Sequence, residues 1–280
     1  MIILTGHEGF IGSHFLNALK AQHKEVVCVE KEESLTFLDQ FDSWNQVTQI
    51  IHMGANSSTV GKDIGDYYKY NIDFSIRLFE RAIEYQIPVK YASSASVYGL
   101  QGYASENRYN PLNYYALSKL TVDYWVLDNI ERFKEVHGYR FFNVYGSGED
   151  KKILDNQSSP ISKFIKQIEE QGYIQLFEGS ESFHRDFVWV ADCVDIVLYE
   201  EVPSGIYDVG TSRPVSFQYV AEKVVETYGG EIRYVAFPEH LIGKYQEFTC
   251  AQEHFPGYNY LSVAEYLNPD EGLVHSSEGC

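Results

Sequence analysis

Tyr115 and Lys119 have the side-chain types and the spacing needed to move a proton. They lie in a stretch with helical periodicity, where residues four positions apart share one face. A tyrosine with its ordinary pKa near 10 is a poor base at neutral pH, but a nearby ammonium group stabilises the phenolate and lowers that pKa. The pair is therefore a candidate for general acid–base catalysis, although a chain with 23 tyrosines contains such spacings by chance.

A serine cluster precedes this pair, at the end of an apolar run that predicts a strand at 88–93. The segment YASSASVYG contains Ser93, Ser94 and Ser96, and one of these hydroxyls could hold a substrate oxygen beside Tyr115. Ligands of α/β proteins bind at the C-terminal ends of parallel strands, which is where the cluster would lie. The residues alone do not choose among the three serines.

A phosphate-binding turn is indicated at the start of the chain. The segment TGHEGFIG places Gly6, Gly9 and Gly12 between a predicted strand at 1–5 and a predicted helix at about 12–21. Glycines in this arrangement permit a tight turn, close approach of the backbone to a pyrophosphate, and close packing of helix on strand. The helix N-terminus adds free N–H groups and a positive dipole end. The strand-turn-helix context favours a dinucleotide over a merely structural turn.

Glu30 ends the second predicted strand, at 25–30, 18 residues after Gly12. An acidic side chain at this position accepts hydrogen bonds from the adenosine ribose hydroxyls. It would repel a 2′-phosphate by about 4 kcal/mol at about 4 Å and an effective dielectric constant of about 20. The sequence therefore favours NAD over NADP, with the adjacent Lys31 able to weaken that preference.

Strands and helices alternate around these residues, which predicts an α/β fold with a Rossmann-type doubly wound parallel sheet. The remaining strands of the first half are predicted at 47–53, 88–93 and 139–145, and the remaining helices at about 63–86 and 113–134. The second half is less regular. There we predict a loop at 151–160, a helix at about 160–171, strands near 173–177 and 185–190, and a helix capped by Ser216 that runs to about Tyr228.

This pattern predicts a smaller C-terminal substrate-binding lobe that is interleaved in sequence with the sheet domain. We expect residues 1–150, with about 185–215, to form the dinucleotide-binding domain. Residues 151–184 and 216–280 would form the lobe.

Two short features have simpler interpretations. His52 in an apolar strand is interpreted as a hydrogen-bonded core histidine, and EKEES at 30–34 as a solvated loop apart from Glu30.

The composition excludes several classes of protein. A hydrophobic content of 44% in 280 residues can fill a core, and the formal net charge of −18 makes nucleic acids and anionic membranes poor partners. The four cysteines form no CxxC pair and the nine histidines are scattered, so no metal site is expected. The N-terminus lacks the features of a signal peptide and no apolar run reaches about 18 residues, which predicts a cytoplasmic protein.

The order TGHEGFIG, SSASVYG and YALSK resembles the extended short-chain dehydrogenase/reductases, which use NAD or NADP to oxidise and re-reduce sugar nucleotides. Further segments resemble the ADP-L-glycero-D-manno-heptose 6-epimerases of that family, over nearly the whole chain to about residue 267. These segments are IIHMGANSST, PLNYYALSK, FFNVYG, LFEGSESFHRDFVWV and GKYQEFT. The resemblance implies an isomerase that inverts the C6 carbinol of an ADP-heptose, a lipopolysaccharide precursor, through a transient keto or aldehyde intermediate.

The resemblance also implies roles for individual residues. Tyr115 would be one catalytic base, with Ser94 as its hydroxyl partner and Lys152 as a second base on a loop. The dinucleotide would contact Gly6, Gly9, Phe10, Ile11, Gly12, Glu30, Lys31, Met53, Gly54, Ala55, Asn71 and Lys119. The substrate would contact Ser94, Asn143, Phe177, Glu178, Gly179, Ser180, Arg185 and Tyr245, with Arg185 on the diphosphate.

The family leans towards NADP, against the preference derived from Glu30, and its members associate, which implies a homo-oligomer. Ser147 and Gly148 replace a Pro-Arg pair before Lys152, and Phe164 lies near a polar substrate contact of the family. Alternative functions are a C4 epimerase of a hexose nucleotide and a non-catalytic dinucleotide sensor. A 4,6-dehydratase is disfavoured because Ser93, Ser94 and Ala95 replace its Thr-Asp-Glu signature.

Overall fold

The computed structural model of the chain describes residues 1–103, 109–149, 158–239, 242 and 245–268. The strands are β1 (Ile2–Thr5), β2 (Val26–Val29), β3 (Gln49–His52), β4 (Val89–Ser94), β5 (Val136–Phe141), β6 (Asn143–Tyr145), β7 (Tyr173–Phe177), β8 (His184–Arg185), β9 (Phe187–Trp189), β10 (Gly205–Val209), β11 (Val215–Ser216) and β12 (Glu231–Val235).

Nine α-helices connect these strands within the described residues. They are α1 (Phe10–Ala21), α2 (Ser34–Gln40), α3 (Ile64–Tyr67), α4 (Phe74–Glu84), α5 (Tyr114–Asp128), α6 (Pro160–Gln171), α7 (Val190–Tyr199), α8 (Phe217–Tyr228) and α9 (Val263–Leu267). A π-helical segment, Tyr68–Asp73, joins α3 to α4. No helix in the described part of the chain has the length and apolar character needed to cross a membrane.

Two compact units divide the chain. The first contains Met1–Gly99, Ala104–Phe141 and Val194–Val209, and the second contains Leu100–Tyr103, Phe142–Cys193 and Gly210–Cys280. The second unit is thus interleaved in sequence with the first, and a boundary falls at Phe141, where the sequence placed one near residue 150. The assignment of a dinucleotide to one unit and a substrate to the other stays a prediction.

The first unit contains a six-stranded parallel sheet with the order β10-β5-β4-β3-β1-β2. Strands β1 and β5 are buried along their whole length, as expected of a parallel sheet that helices cover on both faces, although β5 includes the polar residues His137 and Arg140. The strand order reverses direction between β1 and β3. Ligands of doubly wound folds bind outside the carboxyl ends of the strands at such a switch point. The predicted α/β fold is therefore confirmed, and the switch point lies where Gly6 follows β1.

The second unit contains three two-stranded pairs, β11–β8, β12–β7 and β6–β9, together with helices α6, α8 and α9. Helix α6 begins as predicted, since the Ser159 side chain accepts from the Ser162 N–H and Pro160 occupies the first turn. Helix α8 is capped by Ser216, whose hydroxyl oxygen accepts from the Tyr219 N–H at 3.0 Å, as predicted. The core of this unit is built from buried aromatic and aliphatic residues, among them Tyr145, Phe187 and Val220.

Several boundaries differ from the prediction. Helix α5 ends at Asp128, six residues early, because the chain continues into a short 3-10 helix, Ile130–Arg132. The strand predicted at 139–145 is two strands that meet at Phe142, and the first of them already begins at Val136. The loop predicted at 30–34 is a turn up to Glu33. The unpredicted helix α2 begins at Ser34, where Leu38 is buried and Phe37 packs against Trp44. Helix α7 and strands β10 and β12 were not predicted.

Candidate active site

The glycine turn after β1 is built by close approach of backbone to backbone. Gly6 has a φ of +70°, and a Cβ atom there would lie 2.5 Å from the Gly54 Cα. A Cβ atom on Gly12 would collide with the Gly6 carbonyl oxygen. Gly9, the N-cap of α1, has no side chain to cap the helix. This side-chain-free cradle at a helix N-terminus fits the pyrophosphate of a dinucleotide.

The Glu30 carboxylate lies beside this turn. Its Oε1 accepts a hydrogen bond from the Glu8 N–H at 2.8 Å and lies 2.9 Å from His7 Nδ1. The glutamate therefore follows β2 as predicted and reaches the first turn of the cradle. Lys31, the next residue, points its ammonium group to both carboxylate oxygens of Asp66, a residue that the sequence did not single out.

His52 lies beneath the cradle and is buried. Its Nδ1 is 2.6 Å from Thr5 Oγ1 and its Nε2 is 2.8 Å from Ser75 Oγ. Ser75 donates its hydroxyl hydrogen to the Asn71 carbonyl at 2.6 Å, so it accepts from the histidine, which carries its hydrogen on Nε2. Burial lowers the pKa of His52 to about 3 and keeps the ring neutral. The predicted role as a hydrogen-bonded core histidine is confirmed.

Asn71 lies on the π-helical segment and connects the loop after β3 to α5. Its Nδ2 donates to the Asn56 carbonyl at 3.0 Å and to Ser118 Oγ at 2.9 Å, and its Oδ1 accepts from the Asn56 N–H at 2.7 Å. Ser118 in turn donates to the carbonyl of Tyr115 at 2.7 Å. Both hydrogens of the Asn71 amide are thus engaged within the protein. This arrangement positions the Tyr115 turn, and π-helical segments often occur at such functional sites.

Tyr115 lies in the first turn of α5, which begins where the Asn113 side chain accepts from the Ala116 N–H at 2.9 Å. The residue is partly exposed, but its hydroxyl is surrounded by protein and hydrogen-bonds to Ser94. Burial raises the pKa of Tyr115, opposed by the Ser94 hydrogen bond, so the phenol is protonated. We expected the nearby Lys119 to lower this pKa, whereas burial and, to a smaller extent, the Asp123 carboxylate raise it, opposed by the Ser94 hydrogen bond.

The structure also distinguishes the three serines. Ser94 contacts Tyr115, whereas Ser93 donates to Asp123 Oδ2 at 2.9 Å. Ser96 Oγ is buried and has no hydrogen-bond partner among the described residues. Geometry therefore brings Ser94, and not Ser93, to the tyrosine hydroxyl.

Lys119 is buried one turn after Tyr115, and its Nζ donates to the Ala92 carbonyl at 2.7 Å. Burial lowers its pKa to about 8, and the Asp123 carboxylate opposes this shift. Asp123 is itself buried and accepts from Tyr91 at 3.0 Å and from Arg140 Nε at 2.9 Å. A buried lysine held by a carbonyl and a remote carboxylate can change its charge near neutral pH.

The free energy of unfolding should therefore depend on Lys119. Between pH 8 and its ordinary pKa of 10.5, this lysine binds fewer protons in the folded than in the unfolded chain. Stability of the dinucleotide-free protein should thus rise with pH in this window, by at most about 1.4 kcal/mol per pH unit, compared with Lys119→Met. Urea unfolding at pH 7, 8 and 9 measures this. The exposed Lys24→Met should behave as the wild type, and parallel curves for wild type and Lys119→Met would contradict the shift.

Arg185 is buried within the second unit. Its Nη1 donates to the His184 carbonyl at 2.9 Å and its Nη2 donates to the Gln246 carbonyl. The guanidinium lies 5.3 Å from the ring centroids of both Phe217 and Tyr245. Burial lowers the pKa of Arg185, and Tyr245 opposes that shift. These contacts fix the guanidinium in one orientation, which suits recognition of a phosphate group.

An aromatic cluster surrounds Tyr245 and consists of Phe177, Phe183, Phe237 and Tyr245. Ring centroids of neighbouring members are 5.2 to 5.6 Å apart. The sequence analysis named Phe177 and Tyr245 but missed Phe183 and Phe237. The only signal for these two in the sequence was their aromatic type. Edge-on and tilted rings of this kind form an apolar surface for a nucleotide or sugar face.

The remaining predicted substrate residues lie in the second unit as well. Gly179 has a φ of +81° in a turn where the Ser180 N–H donates to the Phe177 carbonyl at 3.1 Å. Ser180 is buried, and the exposed Glu178 donates its N–H to the Val235 carbonyl at 2.9 Å. Asn143 Oδ1 accepts from Thr249 Oγ1 at 3.1 Å. Thr249 also accepts from the N–H of the buried Asp186, so this group is tightly held.

Lys152, predicted as a second base, lies outside the described residues. The residue before that gap, Glu149, is buried and was not predicted to matter. It accepts from Ser159 Oγ at 2.8 Å and from Ser162 Oγ at 2.7 Å. Glu149 therefore holds the chain before residue 150 against the start of α6. No cluster of three or more metal-ligating side chains occurs in the part of the chain that the structure describes.

Comparison with known proteins gives consistent matches. A sequence model of the family described as "NAD dependent epimerase/dehydratase family" matches residues 2–210. An ADP-L-glycero-D-manno-heptose-6-epimerase from Alkalilimnicola ehrlichii is 36% identical over 288 aligned positions, which cover 90% of this chain and 88% of that protein.

Solved structures share the fold at lower identity. The crystal structure of the Helicobacter pylori ADP-L-glycero-D-manno-heptose-6-epimerase matches with a TM-score of 0.77 at 23% identity, covering 98% of this chain and 96% of that one. The Thermotoga maritima UDP-glucose 4-epimerase, solved with UDP-glucose, matches with a TM-score of 0.80 at 19% identity, covering 99% of both chains. These two structures support the α/β fold.

Proposed function

We propose, on the premise that the chain belongs to the NAD dependent epimerase/dehydratase family, that it is a sugar-nucleotide epimerase acting on an ADP-glyceromanno-heptose. The hydrogen bond between Tyr115 and Ser94, with Lys119 one turn further along α5, carries the enzymatic part of the proposal. A protein that only senses a dinucleotide has no need of this arrangement. The heptose part is supported by the 36% identity to a heptose epimerase over 90% of the chain.

The cradle of Gly6, Gly9 and Gly12, with Glu30 at its edge, would hold the dinucleotide. Also proposed to contact it are Phe10, Ile11, Lys31, Met53, Gly54, Ala55, Asn71 and Lys119. When bound, a nicotinamide supplies a reversible two-electron oxidation of the carbinol carbon. The buried hydrogen bonds from Asn71 to Asn56 and Ser118 keep the cradle wall and α5 in fixed positions within the first unit.

Tyr115 is the proposed proton carrier at the carbinol oxygen. Ser94, already bonded to its hydroxyl, would orient that oxygen, and the ammonium group of Lys119 would stabilise the phenolate once the proton has moved. Because burial raises the pKa of Tyr115, the phenol is protonated in the dinucleotide-free protein, and the positive charges of Lys119 and of a bound nicotinamide would lower that pKa for removal of the carbinol proton. Loss of the Tyr115 hydroxyl should therefore strongly lower turnover.

The second unit is proposed to bind the nucleotide part of the substrate. Arg185 carries five N–H donors, so its bonds to two backbone carbonyls leave donors for the diphosphate. The rings of Phe177 and Tyr245, the turn at Glu178, Gly179 and Ser180, and the amide of Asn143 would line the rest of the site. We also propose a homo-oligomer, consistent with exposed apolar residues Leu117, Tyr124 and Leu127 on α5.

The function is tested with the two C6 epimers of ADP-glyceromanno-heptose and added dinucleotide. NMR should show that either epimer is converted into a mixture of both. When the reaction runs in D₂O, C6 should carry no deuterium, because a carbinol inverted by oxidation and reduction does not exchange its carbon-bound hydrogen with solvent. Deuterium at C6 would refute the redox mechanism. A parallel sample contains UDP-galactose. If UDP-galactose is epimerised and ADP-heptose is not, the enzyme is a C4 epimerase of a hexose nucleotide and the heptose assignment is wrong.

NAD should bind more tightly than NADP to the dinucleotide-free protein. Glu30 lies at the edge of the cradle, and its carboxylate repels the 2′-phosphate that distinguishes NADP. Calorimetric titration with each dinucleotide measures the two affinities, and we expect NAD to bind at least about tenfold more tightly. Glu30→Gln should narrow the difference. A preference of the wild type for NADP would show that a cation outweighs Glu30.

A further inference from the structure

The residue after Glu30 already has an acidic partner. Lys31 Nζ lies 2.9 Å from Asp66 Oδ1 and 3.1 Å from Asp66 Oδ2. The same ammonium group lies 4.4 Å from the centroid of the Tyr70 ring. Asp66 follows β3 in sequence, 35 residues after Lys31, so this pair forms only in the folded chain. Lys31 is therefore held on the face of the helix that begins at Ile64.

Asp66 is itself fixed in place. Asn56 Nδ2 donates to Asp66 Oδ2, and the Asn56 N–H donates to Asn71 Oδ1 at 2.7 Å. The hydrogen bond from Lys31 and, to a smaller extent, that from Asn56 lower the pKa of Asp66, so its carboxylate is charged at neutral pH. Asn56 lies two residues after Gly54, which forms the far wall of the glycine cradle. Asp66 is thus connected to the cradle through a short chain of hydrogen bonds.

We propose that Asp66 is a specificity-determining residue that excludes NADP by neutralising Lys31. The proposal rests on dinucleotide binding at the glycine cradle, as proposed above. A cation beside the ribose-binding acid is what accommodates a 2′-phosphate in proteins of this fold type. Lys31 occupies that position in sequence, but Asp66 binds its ammonium group with both oxygens. A 2′-phosphate that approaches Lys31 therefore meets two carboxylates, Glu30 and Asp66.

Removal of this one charge should change the cofactor preference. We expect Asp66→Asn to raise the affinity for NADP about tenfold while the affinity for NAD changes less than about threefold. The asparagine keeps the shape of the side chain and can still accept from Asn56, so the fold is expected to survive, which a thermal melting curve verifies. Calorimetric titration of the dinucleotide-free protein with NAD and with NADP supplies both affinities without any turnover.

Glu84→Gln is the matched control. Glu84 is exposed, and its carboxylate pairs with Arg81 at 2.7 Å. It is the last residue of α4, just before β4 begins, so it lies near the N-terminal ends of the parallel strands, whereas the cradle lies at their C-terminal ends. This variant changes the net charge by the same amount but should leave both affinities within about twofold. If Glu84→Gln and Asp66→Asn raise the NADP affinity equally, the gain comes from the net charge of the protein, and the proposal is overturned.

A double variant identifies the cation. Lys31→Met combined with Asp66→Asn should lose the gain in NADP affinity, because the charge released by the single variant is then absent. If the gain in NADP affinity persists in the double variant, the role assigned to Lys31 is wrong. The source of the gain is then Lys69, whose ammonium group lies 4.9 Å from the Tyr70 ring centroid. A wild type that epimerises with NAD, and an Asp66→Asn variant without any gain for NADP, would refute this inference alone. Failure of the wild type to bind either dinucleotide would refute the proposed function as well.

Discussion

Tyr115→Phe should lower turnover at least about 100-fold, the lower range for a lost general acid–base catalyst. The substitution removes only the hydroxyl group, which is the atom that hydrogen-bonds to Ser94. The ring keeps its place in the first turn of α5, and neither the cradle nor Glu30 loses a contact. The affinity for NAD should therefore change less than about threefold, and initial rates of epimerisation by NMR, with a calorimetric titration, measure both quantities.

Tyr114→Phe is the control for this experiment. Tyr114 precedes Tyr115 in the sequence, but 41% of it is exposed and it lies on another face of α5. Loss of its hydroxyl should leave turnover within about twofold. Equal losses in the two variants would indicate damage to α5 and not to the chemistry. Unchanged turnover in Tyr115→Phe would show that the Tyr–Lys spacing is coincidental, and the catalytic assignment would have to be withdrawn.

The parts of the fold that could be predicted from sequence are those with local causes. The glycine turn, the capped starts of α6 and α8 and the buried strands of the sheet each have a pattern within a few neighbouring residues. Helix α2 lacks such a pattern, because its stability comes from Leu38 and from an aromatic contact with Trp44 beyond its own C-terminus. The split at Phe142 likewise arises from pairing of β6 with β9, some 40 residues further along the chain.

Only those parts of the site that have a local sequence pattern could be predicted. Tyr115, Lys119 and the glycines were found from spacing. Ser94 was chosen over Ser93 and Ser96 only through the family resemblance, because the residues alone do not show how β4 ends beside α5. The direction in which the Tyr115 pKa shifts could not be obtained from residue types, because it depends mainly on burial of the hydroxyl, which only the folded chain shows. Asp66 could not have been paired with Lys31 before the loop after β3 was placed. Long-range contacts therefore account for what the sequence analysis missed.

Lys152→Ala should abolish net epimerisation, with a loss of at least about 100-fold. Inversion of a carbinol requires that the intermediate present its opposite face, which moves the oxygen away from Tyr115. A second proton carrier on the far side solves this problem, and a partly desolvated lysine can serve if its pKa falls towards neutrality. Calorimetry should show unchanged binding of NAD, and circular dichroism an unchanged fold, since the cradle lies in the first unit.

Lys151→Ala is the matched control because it removes the same charge from the neighbouring residue and should leave epimerisation within about threefold. If both variants lose epimerisation activity to a similar extent, the loss comes from the changed net charge of the segment and not from a missing proton carrier. Full activity of Lys152→Ala would leave Tyr115 to serve both faces, which requires the sugar to rotate within the site. A second comparison uses Glu149, which precedes Lys152 in the sequence and accepts hydrogen bonds from the Ser159 and Ser162 hydroxyls. Glu149→Gln should then lower turnover less than Lys152→Ala, since it weakens these hydrogen bonds and leaves the proton carrier in place.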